Sequence, residues 1–467
     1  MPEVQCVILA AGQGTRMKSN LPKVIHQLAG RPMIEYVVEA AAAAVGAKPL
    51  VVVGYQRELI EAALGDRADY VIQEEQLGTG HAVAQTASRL RGFDGTLMVL
   101  PGDTPLLTRE TLADFIAAHQ RSGAGVTLLT ARVEDPAGYG RVIRSPEERL
   151  LAVVEDRDAT PEERQINEIN TAIYCFDSRA LFAALPRLKD DNAQKEYYLP
   201  DVVRLIMADG RPGHVYAAAD PDEVSGINHR RQLAEAEAVV RRRILDRLMT
   251  SGVTVTDPDK TYVDADVVVG RDATILPFTF ISGRTEIGEG CVIGPSADIR
   301  DSRIGPGCVI QHSVIEKSQV GEKVTVGPYS HLRAGNVIGS EARIGNYAEL
   351  KNSVVGRGTK ISHHSYIGDT EIGGGVNIGA GVVVVNYDGE KKHRTVIGPE
   401  AFIGCNNNLV APITIGRGAY TAAGSTLTND VPGDALAIAR SKEQVNIEGW
   451  AKKRRERAGK PGPHSEP

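Results

Sequence analysis

Residues 263–299 read VDADVVVGRDATILPFTFISGRTEIGEGCVIGPSADI. Val263, Val269, Ile275, Ile281, Ile287, Ile293 and Ile299 recur in that stretch at every sixth position. Neither an amphipathic helix, at 3.6 residues, nor a simple alternating strand, at 2.0, divides the chain this way. The spacing returns through Val320, Val326, Leu332, Ile338, Ile344 and Leu350, and continues with small phase slips through Ile361, Ile367, Ile372, Ile378, Val384, Ile397, Ile403, Leu409 and Ile415. Glycine follows many of these residues, as at Gly270, Gly288, Gly294, Gly327, Gly339 and Gly345, and a small residue there suits a corner where the backbone must turn. A period of six is the hexapeptide signature of a parallel β-helix. It covers roughly 160 residues, which removes chance as a competitor. One interruption is informative: NYDGEKKHR, Asn386 to Arg394, holds no aliphatic residue, so a polar loop leaves the solenoid there.

Upstream, to about residue 228, the pattern is different. Short apolar or β-branched runs (Val4 to Leu9, Leu50 to Val53, Leu97 to Leu100, Val126 to Thr130, Thr171 to Phe176) are separated by helical stretches. That order predicts an α/β doubly wound, mostly parallel, Rossmann-like sheet, with ligands outside the carboxyl ends of its strands. Met33 to Val45, His81 to Leu90 and Arg109 to Arg121 read as crossover helices, the last capped by Thr108. Residues 229–250 have helix formers throughout and no Gly or Pro, and read as a linking helix. The expected domains are therefore 1–228, the linker 229–250, a β-helix over 251–450 and a polar tail, 451–467, read as disordered.

Composition bounds the function. The 467 residues suggest two or three domains, and 49 glycines with only 5% aromatics point to tight turning and small-residue packing. A net charge of -6 argues against nucleic acid as the main partner. Cys6, Cys175, Cys291, Cys308 and Cys405 are scattered, with no C-x-x-C, so neither a disulfide framework nor a zinc site is indicated and a cytoplasmic location is expected. The start, MPEVQCVILAAG, lacks the form of a signal peptide, and no apolar run reaches membrane-spanning length.

The first strand ends in LAAGQGTRM, Leu9 to Met17, with LPKVIH behind it at Leu21 to His26. Small residues let backbone amides approach a phosphate, and Arg16 and Lys23 add positive charge. The stretch fits neither G-x-x-x-x-G-K-[ST] nor G-x-G-x-x-G. LMVLPGDTP places Asp103 just past a strand, where a carboxylate could hold a magnesium ion bridging nucleotide phosphates. QEEQLGTGHA, Gln73 to Ala82, offers a second close-approach glycine turn before a helix.

These motifs, with GYGR at Gly138 to Arg141 and EIN at Glu168 to Asn170, all ahead of a hexapeptide solenoid, resemble the bacterial bifunctional N-acetylglucosamine-1-phosphate uridyltransferase and glucosamine-1-phosphate acetyltransferase family. The resemblance runs from about residue 4 to 450 and implies a left-handed parallel β-helix. It implies a uridine nucleotide-sugar site at Leu9, Ala10, Ala11, Gly12, Lys23, Gln73, Gly78, Thr79, Pro101, Gly102, Asp103, Gly140, Glu155, Asn170 and Asn228. Asp103 and Asn228 would hold Mg2+, and Arg16 and Lys23 would neutralise phosphate charge. In the solenoid it implies His363 as general base, with Arg333, Lys351, Tyr366 and Asn377 on glucosamine-1-phosphate. Ala380, Asn386, Tyr387, Cys405, Ala423 and Arg440 would contact acetyl-CoA. Cys405 departs from the serine of most relatives. UTP and acetyl-CoA are the implied co-substrates, and a homotrimer the implied assembly, with no nucleic acid and no membrane partner.

From the residues themselves, His363 and His364 are adjacent, so in a strand they point to opposite faces. Two other classes also predict a β-helix: a nucleotidyltransferase with a merely structural solenoid, and a scaffold without chemistry. A base, phosphate-gripping cations on neighbouring coils and a departing loop favour two activities.

Overall fold

A computed structural model describes residues 3–441 and 444–458. The chain divides into two compact units, one of residues up to Arg247 with Val263–Asp266, the other of Leu248–Tyr262 and the chain from Val267 onward. No helix among the described residues is long and apolar enough to cross a membrane.

In the first unit seven strands lie in the order Gly213–Ala217, Val126–Arg132, Glu168–Asp177, Gly95–Pro101, Glu3–Ala10, Leu50–Val53, Asp69–Ile72. Helices on both faces bury them, and Val51, Val52 and Val53 are fully enclosed; this double coverage is why these runs are apolar without alternation. Met33–Val45 is helical as expected, and Arg109–Ser122 starts at Thr108, whose side chain accepts from the Thr111 amide. The helix expected over 81–90 is instead an α-helical turn, Thr79–Ala84, tightening into a 3-10 segment, Gln85–Ser88.

The sheet is mostly parallel, as expected, but Glu168–Asp177 runs antiparallel to both its neighbours and makes it mixed. The reason lies in the connection. Between Arg132 and Glu168 the chain forms an antiparallel pair, Gly140–Arg144 with Leu150–Val154, and no α-helix. A parallel return needs a crossover of a dozen or more residues, usually helical, whereas an antiparallel one does not. The helix Arg230–Thr250 buries Ala236, Val240 and Ile244, and Glu237 accepts from the Ala29 amide.

The second unit winds through three parallel sheets of eleven, ten and nine strands, consistent with a left-handed β-helix of hexapeptide repeats. Each coil contributes one strand to each face. Register is direct, Ile275 beside Ile293 and Ile293 beside Ile310, so the sixth-residue aliphatics stack inward as continuous files. Each such burial contributes about 1.5–3 kcal/mol. Gly339 shows why glycine follows them: a Cβ there would stand 2.7 Å from the Arg357 amide nitrogen of the next coil. Buried hydroxyls serve other corners, where the Ser318 amide donates to Ser302 Oγ (3.1 Å) and that of Thr370 to Ser353 Oγ (3.2 Å), as buried amides require.

Residues 451–467 were expected to be disordered, but Trp450–Arg457 is an exposed helix. Strong helix formers and Arg454 lying 5.2 Å over the Trp450 ring account for it. The remainder of the tail, from 459, lies outside the described residues.

Candidate active sites

At the carboxyl ends of the first unit's strands is a cavity of about 580 Å3. A second cavity of about 570 Å3, lined by Ala84, Leu90, Phe93 and Phe182 among others, is as large, so volume does not single out a site. Chemistry does. The segment leaving the first strand is held by its neighbours, with the Gly102 amide donating to the Leu9 carbonyl (2.9 Å) and that of Tyr55 to Ala11 (3.1 Å). Leu9 to Gly12 thereby line the cavity with Arg16, Lys23, Gln73, Gly78, Thr79, Pro101, Asp103, Glu155 and Asn228. Three sequence-expected residues stand behind the wall. Gly102 packs beneath the Leu9 carbonyl, Gly140 pairs with Asn170 in the sheet, and Asn170 Oδ1 accepts from the Tyr174 hydroxyl (3.0 Å).

Lys23 joins the parts of this site that are far apart in sequence. Its ammonium is ion-paired with Asp103 Oδ2 and donates to Asn228 Oδ1 (3.1 Å), which also accepts from Arg16 (2.7 Å). A carboxylate oxygen and an amide oxygen therefore already converge on one cation. Such a hard, sparse oxygen set fits Mg2+, which keeps most of its shell for water and phosphate. Burial, with Asp158 and Asp201 adding repulsion, pushes the Glu155 carboxyl above its usual range.

In the solenoid, register gathers the expected residues. On the ten-stranded face Arg333, Lys351 and Gly368 occupy one outward file over successive coils, beside a second file of His331, Glu349 and Tyr366. Arg333 is paired with Glu349 (3.0 Å). The Lys351 ammonium is held below its ordinary pKa, first by Lys392 and then by Arg333. Lys392 belongs to the departing loop, where it bridges to Tyr387, and sequence reading did not distinguish it from Lys391.

The two corners of that face carry the remaining groups. At one, His363 begins a file continued by Ala380, Cys405 and Ala423, because the amides of Gly381, Asn406 and Gly424 donate to the carbonyls of His363, Ala380 and Cys405 (3.0, 2.8 and 2.9 Å). Arg440 joins this file by donating to the Ala423 carbonyl (2.8 Å). Cys405 is exposed, whereas the other four cysteines are buried. At the opposite corner Asn386 donates to Asp369 Oδ2 (2.6 Å). Asn377 does not share the face: it lies on the eleven-stranded sheet, across the His363 corner.

The strand geometry expected for His363 and His364 does not hold. Both sit in the turn between Lys360–Ile361 and Tyr366–Gly368, with His364 in the left-handed region (φ 56°). His364 stacks on Tyr347 (5.0 Å), itself stacked on Tyr329 (5.4 Å), and lies edge-on to His363. The turn, rather than strand alternation, separates the two imidazoles. Asp388 organises the loop by accepting from the Glu390 and Lys391 amides and from His393; these contacts, led by the Lys391 amide, hold its carboxyl well below the usual range.

A nucleotide-type cavity on an α/β unit, joined to a hexapeptide solenoid with its own cation cluster, defines a nucleotidyltransferase coupled to a hexapeptide-type transferase. Family comparison agrees unit by unit: residues 6–201 match the MobA-like NTP transferase domain and residues 294–385 the GlmU-like C-terminal hexapeptide. The chain is 49% identical to the bifunctional protein GlmU of Halalkalibacterium halodurans, over 96% of this chain and 98% of that one. It is 50% identical to that of a Geobacillus species over 95% and 96%, and 48% identical to that of Brevibacillus brevis over 97% and 98%. The chain belongs to the GlmU family of bifunctional transferases.

Proposed function

We propose that this protein makes UDP-N-acetylglucosamine in two steps, acetylating glucosamine-1-phosphate in the solenoid and joining the product to UTP in the α/β unit. One observation carries the reading: each unit has its own cluster of cations facing an open site, Arg16 with Lys23 in one and Arg333, Lys351 and Lys392 in the other. Two phosphate-bearing substrates would relieve both.

In the α/β unit a phosphate oxygen of the sugar phosphate attacks the α-phosphorus of UTP as the bond to the β-phosphate oxygen breaks and pyrophosphate leaves. No enzyme nucleophile is needed. The Ala10 to Gly12 turn brings backbone close to the phosphates, while Arg16 and Lys23 offset charge that builds on the leaving group. Mg2+, held by Asp103 and Asn228, supplies further charge neutralisation when bound.

In the solenoid, Arg333, Lys351 and Lys392 hold the sugar phosphate over the file that ends at Gly368, and Tyr366 borders the sugar. His363 accepts a proton as the amine nitrogen attacks the thioester carbonyl carbon, a task suited to an imidazole near neutral pH. The carbon–sulfur bond then breaks and CoA leaves as the thiol. Cofactor contacts fall to the file Ala380, Cys405 and Ala423 with Arg440, and to Asn386 and Tyr387, with Asn377 contacting substrate from the adjoining face.

Hexapeptide solenoids favour oligomers, and a homotrimer is the assembly proposed. Val445, Ile447 and Trp450 are exposed by 80%, 69% and 52%, apolar surface that a neighbouring copy would cover. Five free cysteines support a reducing, cytoplasmic setting. The test is a coupled assay of purified protein with glucosamine-1-phosphate, acetyl-CoA, UTP and Mg2+. UDP-N-acetylglucosamine and equimolar pyrophosphate are expected, and acetylation without nucleotide product, or the reverse, would refute a two-step enzyme.

A further inference from the structure

The cavity of the α/β unit contains a buried amide whose orientation is decided by a residue outside the expected site. Gln73 continues the strand Asp69–Ile72, its amide donating to the Val53 carbonyl (2.8 Å). Although only 3% exposed, it lines the cavity. Its side-chain Nε2 lies 3.2 Å from the Gly78 carbonyl oxygen and 2.9 Å from Nδ1 of His81. His81 stands in the helix Thr79–Ala84, and its Nε2 in turn meets the Gln85 side-chain amide at 2.9 Å.

Hydrogen bookkeeping fixes this chain. A carbonyl oxygen can only accept, so the atom facing Gly78 is the Gln73 nitrogen. The same NH2 reaches His81 Nδ1, which must then be the unprotonated ring nitrogen of a neutral imidazole. The ring proton is on Nε2 and is donated to Gln85, whose oxygen must face the ring. Gln85 Nε2 also lies 3.3 Å from the His81 carbonyl, but that carbonyl already accepts from the Gln85 backbone amide. At half-buried Gln85 water can replace the contact, so between the two amides it is Gln85 that turns at the lower cost. The reverse assignment would set the Gln73 oxygen against the Gly78 oxygen inside the protein with no hydrogen between them, a costly arrangement. With its nitrogen engaged twice, Gln73 has its carbonyl oxygen left for the cavity.

We propose that His81 sets the base specificity of the nucleotidyl site by locking the Gln73 amide with its oxygen toward the base. This rests on the reading of the cavity as the UTP site and of Gln73 as a base contact. An acceptor held there takes the N3–H of uracil. Cytosine presents a bare N3 at the same place, acceptor against acceptor. Sites built around such a hydrogen bond discriminate far more strongly than apolar ones, because the mismatched partner leaves a buried polar group unpaired. Thymine shares the uracil edge and is not rejected by this device. His81 is a positioning residue: it touches Gln73, not the nucleotide.

The experiment compares kcat/KM for UTP, CTP and dTTP, with N-acetylglucosamine-1-phosphate and Mg2+, in the full-length enzyme and in His81→Ala, His81→Gln and Gln73→Ala. Acetyl transfer in each preparation reports an intact second unit. His81→Ala is expected to lower the UTP-to-CTP ratio at least about tenfold while leaving UTP-to-dTTP unchanged. His81→Gln, which retains an acceptor for Gln73, should keep most of the discrimination. If His81→Ala fails to fold, His81→Phe fills the ring's space without a nitrogen and gives the same readout. Equal losses on UTP and CTP in the histidine variants, with Gln73→Ala lowering the ratio, would reduce His81 to a packing residue and overturn the proposal alone. An unchanged ratio in Gln73→Ala would instead overturn the base contact beneath it.

Discussion

The two units build their sites by opposite routes. In the α/β unit Lys23, Asp103 and Asn228 come from three distant stretches and meet because loops at the strand ends fold over one another. In the solenoid, site residues meet because they hold equivalent positions on successive coils: Arg333 above Lys351 above Gly368, and His363 beside Ala380, Cys405 and Ala423. A loop-built site can be damaged by one misplaced side chain without any effect on the core. A register-built site shares its scaffold with the core, but its neighbours are fixed by the period of the sequence. Whether the two chemistries are separable is the direct test of this contrast.

The largest effect is expected for Asp103→Asn. Losing the carboxylate removes the partner of Lys23 and, on the proposed reading, a magnesium ligand, and uridylyl transfer should fall by on the order of a thousandfold. Acetyl transfer, assayed on the same protein, should remain near normal. Parallel loss of both activities in a folded variant would show that Asp103 does not belong to one site. The mirror case is His363→Ala, with acetyl transfer falling on the order of a hundredfold and uridylyl transfer retained. Near-normal acetyl transfer there would remove His363 from the mechanism and return the solenoid to a structural role.

How much of this was legible in the sequence follows from the same contrast. The sixth-residue aliphatics specify the coil, so the solenoid could be read from the chain, whereas Arg333, Lys351 and His363 were legible through the family resemblance and not through the period. Lys392 was not legible, since the loop that carries it lies outside the period. Nor was the corner at His363–His364, where a left-handed residue breaks strand alternation. In the α/β unit strand identities were readable, but the direction of Glu168–Asp177 was not carried by its composition. The missing helix before it was the available signal. Residues that act through others, Asp369 on Asn386 and His81 on Gln73, are not marked by residue type: His81 stands inside the QEEQLGTGHA stretch, but only the folded contact shows what it touches.

A smaller effect separates the two kinds of glycine. At Gly368 a Cβ would stand 2.5 Å from Asn386 Nδ2 and 2.6 Å from the Tyr366 hydroxyl. Gly368→Ala should therefore push both side chains aside and raise KM for glucosamine-1-phosphate about tenfold, with a modest fall in unfolding temperature because Asn386 is buried. Gly12 has nothing within 4 Å of its Cβ position. Gly12→Ala should fold normally and weaken only UTP, whose phosphates need that space. An increase in KM for glucosamine-1-phosphate in Gly12→Ala, or none in Gly368→Ala, would contradict the close-approach argument.

The smallest effect concerns Glu155, the acid of the loop-built site whose pKa is raised by burial and by Asp158 and Asp201. Because the folded carboxyl holds its proton more tightly than the unfolded one, the native state is favoured below the unfolded pKa, the ordinary value near 4.5. That contribution is lost as pH rises through the folded pKa. At pH 8 the wild type carries the full penalty of an ionised, half-buried carboxylate beside like charges. Glu155→Gln cannot ionise. It should raise the unfolding temperature of the α/β unit slightly at pH 8 and leave it unchanged at pH 4, measured by calorimetry on the nucleotide-free full-length protein. The solenoid transition, which contains no part of this cluster, should not move at either pH. A variant less stable than wild type at pH 8 would mean that the ionised carboxylate has a stabilising partner, and that the acidic surroundings of the nucleotide site do not strain it.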